Sequence, residues 1–269
     1  MPWQSYRVVW RLRSPLRVGW RSVGNLQQTR PYVPGKVIWG ALTARLTRDL
    51  GNGADGKAYR AVGQRLQEAM RFGYFWPTTA PPTPRYPWDE PAQFAYDFLA
   101  SMMSTALDYD SVSAEEGSLH EAEYLRPYAP DGAPVYLVGF LWADEEVLQR
   151  NGLPWKEALP HVLLGGEWHY GWGRVHLEAL DPLPHPDISN PEAFSWGKDR
   201  VPAHVLATGE AAARLQGPVE PLMGWEMLPD GRKSLPLEAQ LAFQPGAKVK
   251  VQPVDFRIGS YGVWEPRTS

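Results

Sequence analysis

The sequence predicts an α+β protein with a compact N-terminal unit and a loop-rich C-terminal extension. Three observations carry this prediction. Residues 6–13 alternate in polarity, the segment after residue 35 has helical spacing, and residues 135–142 form a short apolar run. At 269 residues, with 43% hydrophobic and 21% charged side chains, the chain has the length and composition of a globular protein with a sizeable core.

The first predicted strand begins at Tyr6 and ends at Arg13. One face of this strand is apolar and consists of Tyr6, Val8, Trp10 and Leu12. The other face is mostly cationic and consists of Arg7, Val9, Arg11 and Arg13. Ser14 and Pro15 end the strand, and a loop rich in glycine, asparagine and glutamine is predicted as far as Thr29.

A helix is predicted after residues 30–35, whose two prolines and glycine cannot continue a strand. Its apolar residues recur at i, i+4 spacing and are Ile38, Leu42, Leu46 and Leu50. Gly51 stands where a helix-terminating glycine belongs. Free backbone N–H groups at the helix start favour a phosphate near Lys36.

The remaining sequence patterns predict further helices and strands, and the order of these elements is that of a ferredoxin-like domain. They predict a helix at 57–72, an irregular stretch at 73–91, a helix at 94–107, a buried strand at 135–142, a short helix at 154–164 and a strand at 173–180. This order fits a ferredoxin-like α+β domain over 1–180 with a large insertion at about 74–130. Residues 181–269 are predicted to be an extension packed on it.

Composition excludes several classes of protein. There are no cysteines, so disulfides and thiolate metal sites are ruled out. No apolar run reaches the roughly 18 residues that a membrane helix needs, and residues 1–13 lack the pattern of a secretory signal. We therefore expect a cytoplasmic protein that does not bind membranes. The 13 tryptophans would also suit a carbohydrate-binding module.

The charge is distributed asymmetrically, although the net charge is only −3. Residues 1–50 carry nine basic side chains and one acidic one, a net charge of +8, whereas the other 219 residues carry −11. Arginine and aromatic side chains both stack on bases, and Trp20 lies among these arginines. The pattern indicates a polyanion contact at the N-terminal end, and a solvated basic surface is the alternative.

A glycine-rich segment contains Gly165, Gly166, Gly171 and Gly173. Such a loop lets the backbone approach RNA, and His169, Tyr170 and Trp172 offer hydrogen bonding and stacking. A plain tight turn is the alternative. The segment lacks the Gly-Lys-Ser/Thr sequence of a nucleotide-binding P-loop.

No metal-site pattern is found. The six histidines lack zinc-ligand spacing, and the acidic run at 108–123 lacks the spacing of a calcium loop. We interpret that acidic run as a surface that meets a neighbouring subunit or pairs internally. His169 is the first choice among the histidines for acid/base work, because a glycine loop could aim it at a phosphate. We expect no cofactor.

Three blocks of sequence resemble the RAMP superfamily of CRISPR-associated proteins. Residues 29–46 (TRPYVPGKVIWGALTARL) resemble the family's IPGSSLKGALR segment, and residues 105–124 (TALDYDSVSAEEGSLHEAEY) resemble a conserved stretch before a central strand. Residues 163–175 (LLGGEWHYGWGRV) are similar to its glycine-rich loop. The resemblance covers about residues 6–180 and implies an RRM-like ferredoxin fold in a class 1, type III-like interference complex.

The resemblance also implies that the chain holds a guide RNA. Family backbone subunits that cleave target RNA carry an aspartate between the first strand and first helix, whereas residues 13–35 contain no Asp or Glu. A non-cleaving role fits this absence. Together with the length of the chain and its single RAMP unit with an extension, it makes a non-catalytic subunit capping the 5′ handle of the guide our first hypothesis. The alternatives are a non-cleaving backbone or terminal RAMP subunit, and a metal-independent endoribonuclease that processes guide precursor.

The expected partners are guide RNA, sibling RAMP subunits and, indirectly, target RNA or DNA. The predicted RNA-binding residues are Arg11, Arg13, Arg17, Trp20, Arg21, Arg30, Lys36, Gly165, Gly166, His169, Tyr170, Gly171, Trp172, Gly173 and Arg174. If the prediction is right, Arg13, Arg17 and the glycine-rich segment must lie on the same side of the molecule.

Overall fold

The computed structural model describes residues 3–51, 55–208, 213–224, 226–227, 233–234 and 239–267. The strands of the first 182 residues are β1 (Gln4–Leu12), β2 (Gly19–Val23), β3 (Leu26–Thr29), β4 (Met70–Phe72), β5 (Trp76–Thr78), β6 (Leu99–Ser104), β7 (Leu107–Asp108), β8 (Ser113–Ala114), β9 (His120–Leu125), β10 (Tyr136–Ala143) and β11 (Val175–Pro182). The α-helices are α1 (Gly35–Asp49), α2 (Gly56–Ala69), α3 (Pro91–Phe98), α4 (Glu145–Arg150) and α5 (Trp155–Ala158).

The first sheet has the order β11-β1-β10-β4, with β5 also pairing with β10, and every pair is antiparallel. The two long strands β1 and β10 lie in the centre, and the last strand of the unit returns beside the first. This arrangement is that of a βαββαβ, ferredoxin-like unit, in which helical segments connect β1 to β4 and β10 to β11. The predicted fold class is confirmed.

The alternation predicted for β1 places its apolar face in the main core. Tyr6, Val8, Trp10 and Leu12 are buried there together with residues of α1, α2, α4 and α5. Trp10 is fully buried and stacks on Phe75 with ring centroids 4.9 Å apart. Burying a large side chain of this kind contributes about 1.5–3 kcal/mol, so the period-two pattern fixes which face of β1 meets the helices.

The helix predicted from Lys36 is α1, and Gly51 ends it with a φ of +74°. Ile38, Leu42 and Leu46 point into the main core, as their spacing predicts.

Three predicted elements differ from the structure, because strand pairing overrides local propensity. The helix predicted at 57–72 ends at residue 69, and residues 70–72 pair with β10 as β4. The irregular stretch at 73–91 contains β5, which also pairs with β10. The helix predicted at 94–107 is α3 at 91–98 followed by β6, which pairs antiparallel with β9.

The loop predicted at 14–29 is also partly ordered into strands. Residues 19–23 and 26–29 form the β2–β3 hairpin, and β3 continues into a sheet with β9 and β6. A hairpin of this kind places Trp20 and Arg21 on a defined surface instead of a free loop.

The C-terminal part forms a second layer against the first unit. Its strands are β12 (Phe194–Trp196), β13 (Val205–Leu206), β14 (Leu215–Gln216), β15 (Val219–Leu222), β16 (Glu226–Met227), β17 (Lys233–Ser234), β18 (Gln240–Phe243), β19 (Lys248–Val249), β20 (Val254–Ile258) and β21 (Trp264–Pro266). Its largest described sheet has the order β12-β20-β21-β13-β18-β15. Residues 209–212, 225, 228–232, 235–238 and 268–269 of the predicted extension lie outside the described residues.

A second core joins the two layers. Tyr32, Tyr74, Trp76 and Trp142 of the first unit pack there with C-terminal residues such as Trp264. The C-terminal layer therefore covers part of the sheet face that points away from the helices.

Candidate nucleic-acid interface

The segment after β1 and the glycine-rich segment are joined by backbone hydrogen bonds. Arg13 N donates to Arg174 O at 2.9 Å, Gly173 N donates to Pro15 O at 2.8 Å, and Gly166 N donates to Arg17 O at 2.9 Å. These bonds bring together residues about 150 positions apart in sequence. Arg13, Arg17 and the glycine-rich segment therefore lie on the same side of the molecule, as the prediction requires.

Two of the glycines are explained by packing within the chain. Gly165 and Gly173 have φ values of +71° and +77°. A Cβ on Gly165 would lie 2.2 Å from Arg17 O, and one on Gly173 would lie 2.0 Å from Leu164 O. Only glycine fits both positions, so their role is to let two backbones meet and does not depend on an RNA contact.

An open concavity of about 560 Å³ lies beside this junction. Arg13, Arg174, His161 and His176 contribute to its lining. The side chains of Arg13 and Arg174 are exposed, and neither has an acidic partner among the residues that the structure describes. The concavity therefore offers two guanidinium groups and two imidazoles to an anion.

A second concavity, of about 540 Å³, lies on the other side of the glycine-rich segment and is lined by Arg17, Gly40, Gly166 and Trp168 among others. Arg17 does not present an unpaired charge there, because its Nη1 donates to Glu167 Oε1 at 2.5 Å. In the folded protein, Glu167 thus partly neutralises the charge of Arg17, which was predicted to contact a phosphate.

The turn at 168–170 presents aromatic and imidazole groups to solvent. Tyr170 is 79% exposed, Trp168 is 46% exposed, and His169 between them is also exposed. Trp172 is different: it is only 6% exposed and its ring packs edge-on against Tyr124 at 5.1 Å. A ring so buried has no free face for a base, so Trp172 is removed from the candidate interface, and Trp168 is a residue that the sequence analysis missed.

The β2–β3 hairpin carries two of the predicted residues. Arg21 is exposed and its guanidinium lies 4.2 Å from the centre of the Trp20 ring. Trp20 Nε1 in turn donates to Glu220 Oε2 at 2.8 Å. Trp20 is therefore held by the C-terminal layer on one side and covered by a cation on the other.

Arg30 belongs to a buried network between the two layers. Its Nη1 donates to Glu220 Oε1 at 2.6 Å and to the Tyr32 hydroxyl at 2.9 Å. His204 also hydrogen-bonds Glu220, at 2.5 Å through Nε2, and accepts from the Tyr74 hydroxyl at Nδ1 at 2.7 Å. With its charge matched inside the protein, Arg30 is removed from the candidate interface as well.

The pKa values of this network fit a neutral histidine beside a charged glutamate. Burial lowers the pKa of His204, and the Arg30 charge lowers it further despite the hydrogen bond to Glu220. Burial alone would raise the pKa of Glu220, but hydrogen bonds from His204, Arg30 and Trp20 outweigh it and bring that pKa to about 2.

Lys36 and Arg11 also contact other parts of the chain. Lys36 Nζ lies 5.1 Å from the centre of the Tyr261 ring, and the carbonyl oxygens of Tyr261 and Phe72 crowd the helix start at Gly35. A side chain larger than that of glycine would therefore not fit at the first residue of α1. The Arg11 guanidinium lies 5.9 Å from the centre of the Tyr128 ring, on the sheet face away from the helices.

Among the described residues, the structure shows no group of three or more histidine, aspartate or glutamate side chains placed to hold a metal ion. In the same part of the chain, no helix has both the length and the apolar character needed to cross a membrane.

Comparison with solved structures identifies the fold. No protein-family model matches the sequence, and a search of curated proteins gives no significant match. A chain in the cryo-EM structure of type III-B Cmr-beta bound to cognate target RNA and AMPPnP matches 90% of this chain and 85% of its own length, with a TM-score of 0.50 and 15% identity. This chain shares its fold with that subunit of the type III-B Cmr-beta complex.

Two further structures match with lower TM-scores. A second structure of type III-B Cmr-beta bound to cognate target RNA matches at a TM-score of 0.47 and 14% identity, covering 90% of this chain and 86% of that one. A CRISPR protein from Archaeoglobus fulgidus matches at a TM-score of 0.41 and 12% identity, covering 99% and 100%.

Sequence reasoning missed the contributions of His161 and His176 to the concavity that Arg13 and Arg174 line. Both are isolated histidines in sequence, so no spacing marks them. His176 follows Arg174 by two residues on an alternating strand, which is the one signal that could have placed it beside the predicted site.

Proposed function

We propose that this protein is a non-catalytic, RNA-binding subunit of a CRISPR effector complex. In this role it holds the guide RNA, at its 5′ handle, and nucleates assembly with sibling RAMP subunits. The RAMP-like fold supports membership of such a complex, and the basic N-terminal segment supports the contact with RNA.

The observation that carries the proposal is the concavity shared by Arg13 and Arg174. Two exposed guanidinium groups from distant segments converge there beside His161 and His176. Phosphate contacts of this kind dominate the affinity of proteins for nucleic acids and make it strongly dependent on salt. The exposed rings of Trp168 and Tyr170 on the adjacent turn supply faces on which unpaired bases can stack.

Two carboxylates near this surface support a role without cleavage. Glu167 and Glu220 are brought by the fold to the segment between β1 and α1, which has no acidic residue of its own. Each is hydrogen-bonded to an arginine, Arg17 or Arg30. A carboxylate engaged in this way is a poor base or metal ligand for cleaving RNA.

Charge reversal tests the proposal. We expect Arg13→Glu and Arg174→Glu each to weaken the binding of guide RNA and to reduce the slope of log affinity against log salt by about 1 per lost phosphate contact. The measurement is fluorescence anisotropy with guide RNA over a series of salt concentrations. Arg17 is not suitable for this test, because its reversal would also break the pair with Glu167.

Lys248→Glu is the matched control, since it makes the same change of charge on an exposed residue of β19. Unchanged affinity and salt slope in both arginine variants would refute the proposed interface.

A precursor-processing endoribonuclease is the second candidate, favoured by the two histidines beside Arg13. Imidazoles next to a guanidinium could act as general acid and base on a bound phosphodiester. Incubation of the protein with repeat RNA distinguishes the two functions. Site-specific cleavage that is lost in His161→Ala, His176→Ala or His169→Ala would overturn the non-catalytic role.

The insertion supplies a candidate contact with a sibling subunit. Met103, Tyr109 and Val112 are 66%, 86% and 88% exposed on the β6–β9 segment. Large apolar side chains this exposed are found at protein interfaces. The acidic residues at 108–123 are their neighbours in sequence, and interfaces commonly have a polar rim.

A further inference from the structure

An aromatic cleft of about 110 Å³ lies between the first sheet and the C-terminal layer. Its floor is the sheet face away from the helices, where Phe140 and Trp142 project from β10. Tyr86 of the insertion and Trp196 of β12 form two of its walls. Phe140 is 36% exposed, so the cleft opens to solvent at this side chain.

The polar groups of the deeper rings are already satisfied. Trp142 Nε1 donates to Ile188 O at 2.7 Å, and Trp76 Nε1 donates to Pro202 O at 3.1 Å. These two indoles therefore present ring surface to the cleft and leave no unmet donor in it. A ligand that fits such a lining is flat and apolar on its faces.

The mouth of the cleft carries hydrogen-bonding groups of both kinds. Asp187 and Lys198 form an exposed ion pair there, and Lys198 Nζ lies 5.1 Å from the centre of the Trp196 ring. The Tyr86 hydroxyl is a donor at neutral pH, and burial, together with the nearby charges of Asp89 and Asp187, raises its pKa further, to about 12. A flat ring with donors and acceptors at its edge, as in a nucleobase, matches this arrangement.

The cleft lies on the same strand face as the proposed phosphate site. Ser5 of β1 lines the cleft, and Arg13 at the other end of the same alternating row lines the concavity. Residues eight positions apart along a strand are separated by about 26 Å, at about 3.3 Å per residue. Arg7 and Arg11 project from this face between the two ends. Arg7 Nη2 donates to Asp181 Oδ2 at 2.8 Å, so Arg11 and Arg13 supply the positive charge along this row.

We propose that the aromatic cleft takes up one unpaired, single-ring base of an RNA strand whose phosphates lie along this row. The inference rests on the proposed function and names the part of the RNA that the cleft holds. Its volume of about 110 Å³ is below the roughly 150 Å³ of a cavity that holds benzene, so the cleft takes one ring, partly inserted from its open side, and excludes a double-ring purine. The occupant is therefore a pyrimidine.

The test uses short oligo-uridine RNA with a single abasic ribose moved through each position in turn. We expect one position at which the abasic RNA binds the full-length protein at least about fivefold more weakly, the lower end of the measured contribution of a stacked base. In Phe140→Ala that position should lose its effect, because the ring at the mouth of the cleft is gone. Phe140→Tyr should restore it.

Two further variants make the result specific. Lys198→Ala should weaken the base-dependent part of binding. Tyr96→Ala removes another exposed aromatic ring, 63% exposed on α3, that does not line the cleft, and should bind as the wild type does. Thiouridine at the sensitive position should photocrosslink to the peptides that contain Tyr86, Phe140 or Trp196.

The outcomes separate this inference from the proposed function. If abasic RNA binds as tightly as intact RNA at every position, while Arg13→Glu still weakens both, the cleft does not bind a base and the phosphate interface stands. The same conclusion follows if the crosslinks fall outside the cleft. If no oligonucleotide or guide RNA binds at all, both proposals are wrong.

Discussion

Replacing Glu220 with glutamine removes one negative charge from the contact between the two layers while keeping the size of the side chain. Arg30 is the residue most affected, because its side chain is only 15% exposed and its guanidinium lies 2.6 Å from Glu220 Oε1. Glutamine has a single acceptor oxygen and an amide that would face the donors of Arg30, His204 or Trp20. The variant therefore leaves a buried cation without its counter-charge.

Two estimates of the loss in the free energy of unfolding agree. Removing one member of a buried ion pair typically costs about 3–5 kcal/mol. A pKa of about 2 for Glu220, against its ordinary 4.5, corresponds to about 3 kcal/mol at 1.36 kcal/mol per pH unit. We expect Glu220→Gln to lower the free energy of unfolding by about 3 kcal/mol.

Urea unfolding at neutral pH, followed by tryptophan fluorescence, measures this change. The matched control is Glu265→Gln, whose carboxylate lies 2.5 Å from Arg257, a residue that is 53% exposed. Water screens that surface pair, so its loss should cost no more than about 1 kcal/mol.

Equal stability of Glu220→Gln and Glu265→Gln would refute the reasoning, because it would mean that the network at Glu220 contributes no more than a surface pair. Hydrogen exchange adds a second readout. Amides of β2, β3 and β15, which carry or flank Trp20, Arg30 and Glu220, should lose protection in Glu220→Gln.

The other predictions concern acid and the glycine-rich segment. Because the pKa of His204 is lower in the folded protein than its ordinary 6.5, the unfolded chain takes up this proton first, and stability should begin to fall as the pH drops below about 6.5. The lowered pKa of Glu220 contributes stability that is present above pH 4.5 and lost as the pH falls toward about 2, so Glu220→Gln should flatten that part of a thermal-denaturation profile. Gly173→Ala should destabilise the protein by roughly 2 kcal/mol or more in urea unfolding, because a left-handed backbone and a clash with Leu164 O combine. Gly171→Ala has the same φ of +77° and open space around its Cβ, so it should cost only about 1–2 kcal/mol, and an equal loss in both variants would contradict the role of the clash.

Local sequence patterns were sufficient to predict a strand or helix where the periodicity of its apolar residues fixes which of its faces is buried. The alternation in β1, the i, i+4 spacing in α1 and the apolar run of β10 each led to the correct element, because one face of each must reach the core. Their order along the chain then gave the ferredoxin-like topology. The second strand of that topology, formed by β4 and β5, escaped prediction because its pieces are three residues each, too short to show a period.

The sequence by itself determined the fold class, the excess of positive charge in the first 50 residues and the glycines where two segments meet. Only the tertiary structure decided which charges are available to a ligand. Glu167 and Glu220 lie 150 and 190 positions from the arginines they bind, and the burial of Trp172 depends on Tyr124 in the insertion. The periodicity of a segment shows which of its faces packs against the core, because that choice is made within a few neighbouring residues. Ion pairing and the burial of single side chains depend instead on contacts between distant segments, which no local sequence pattern encodes.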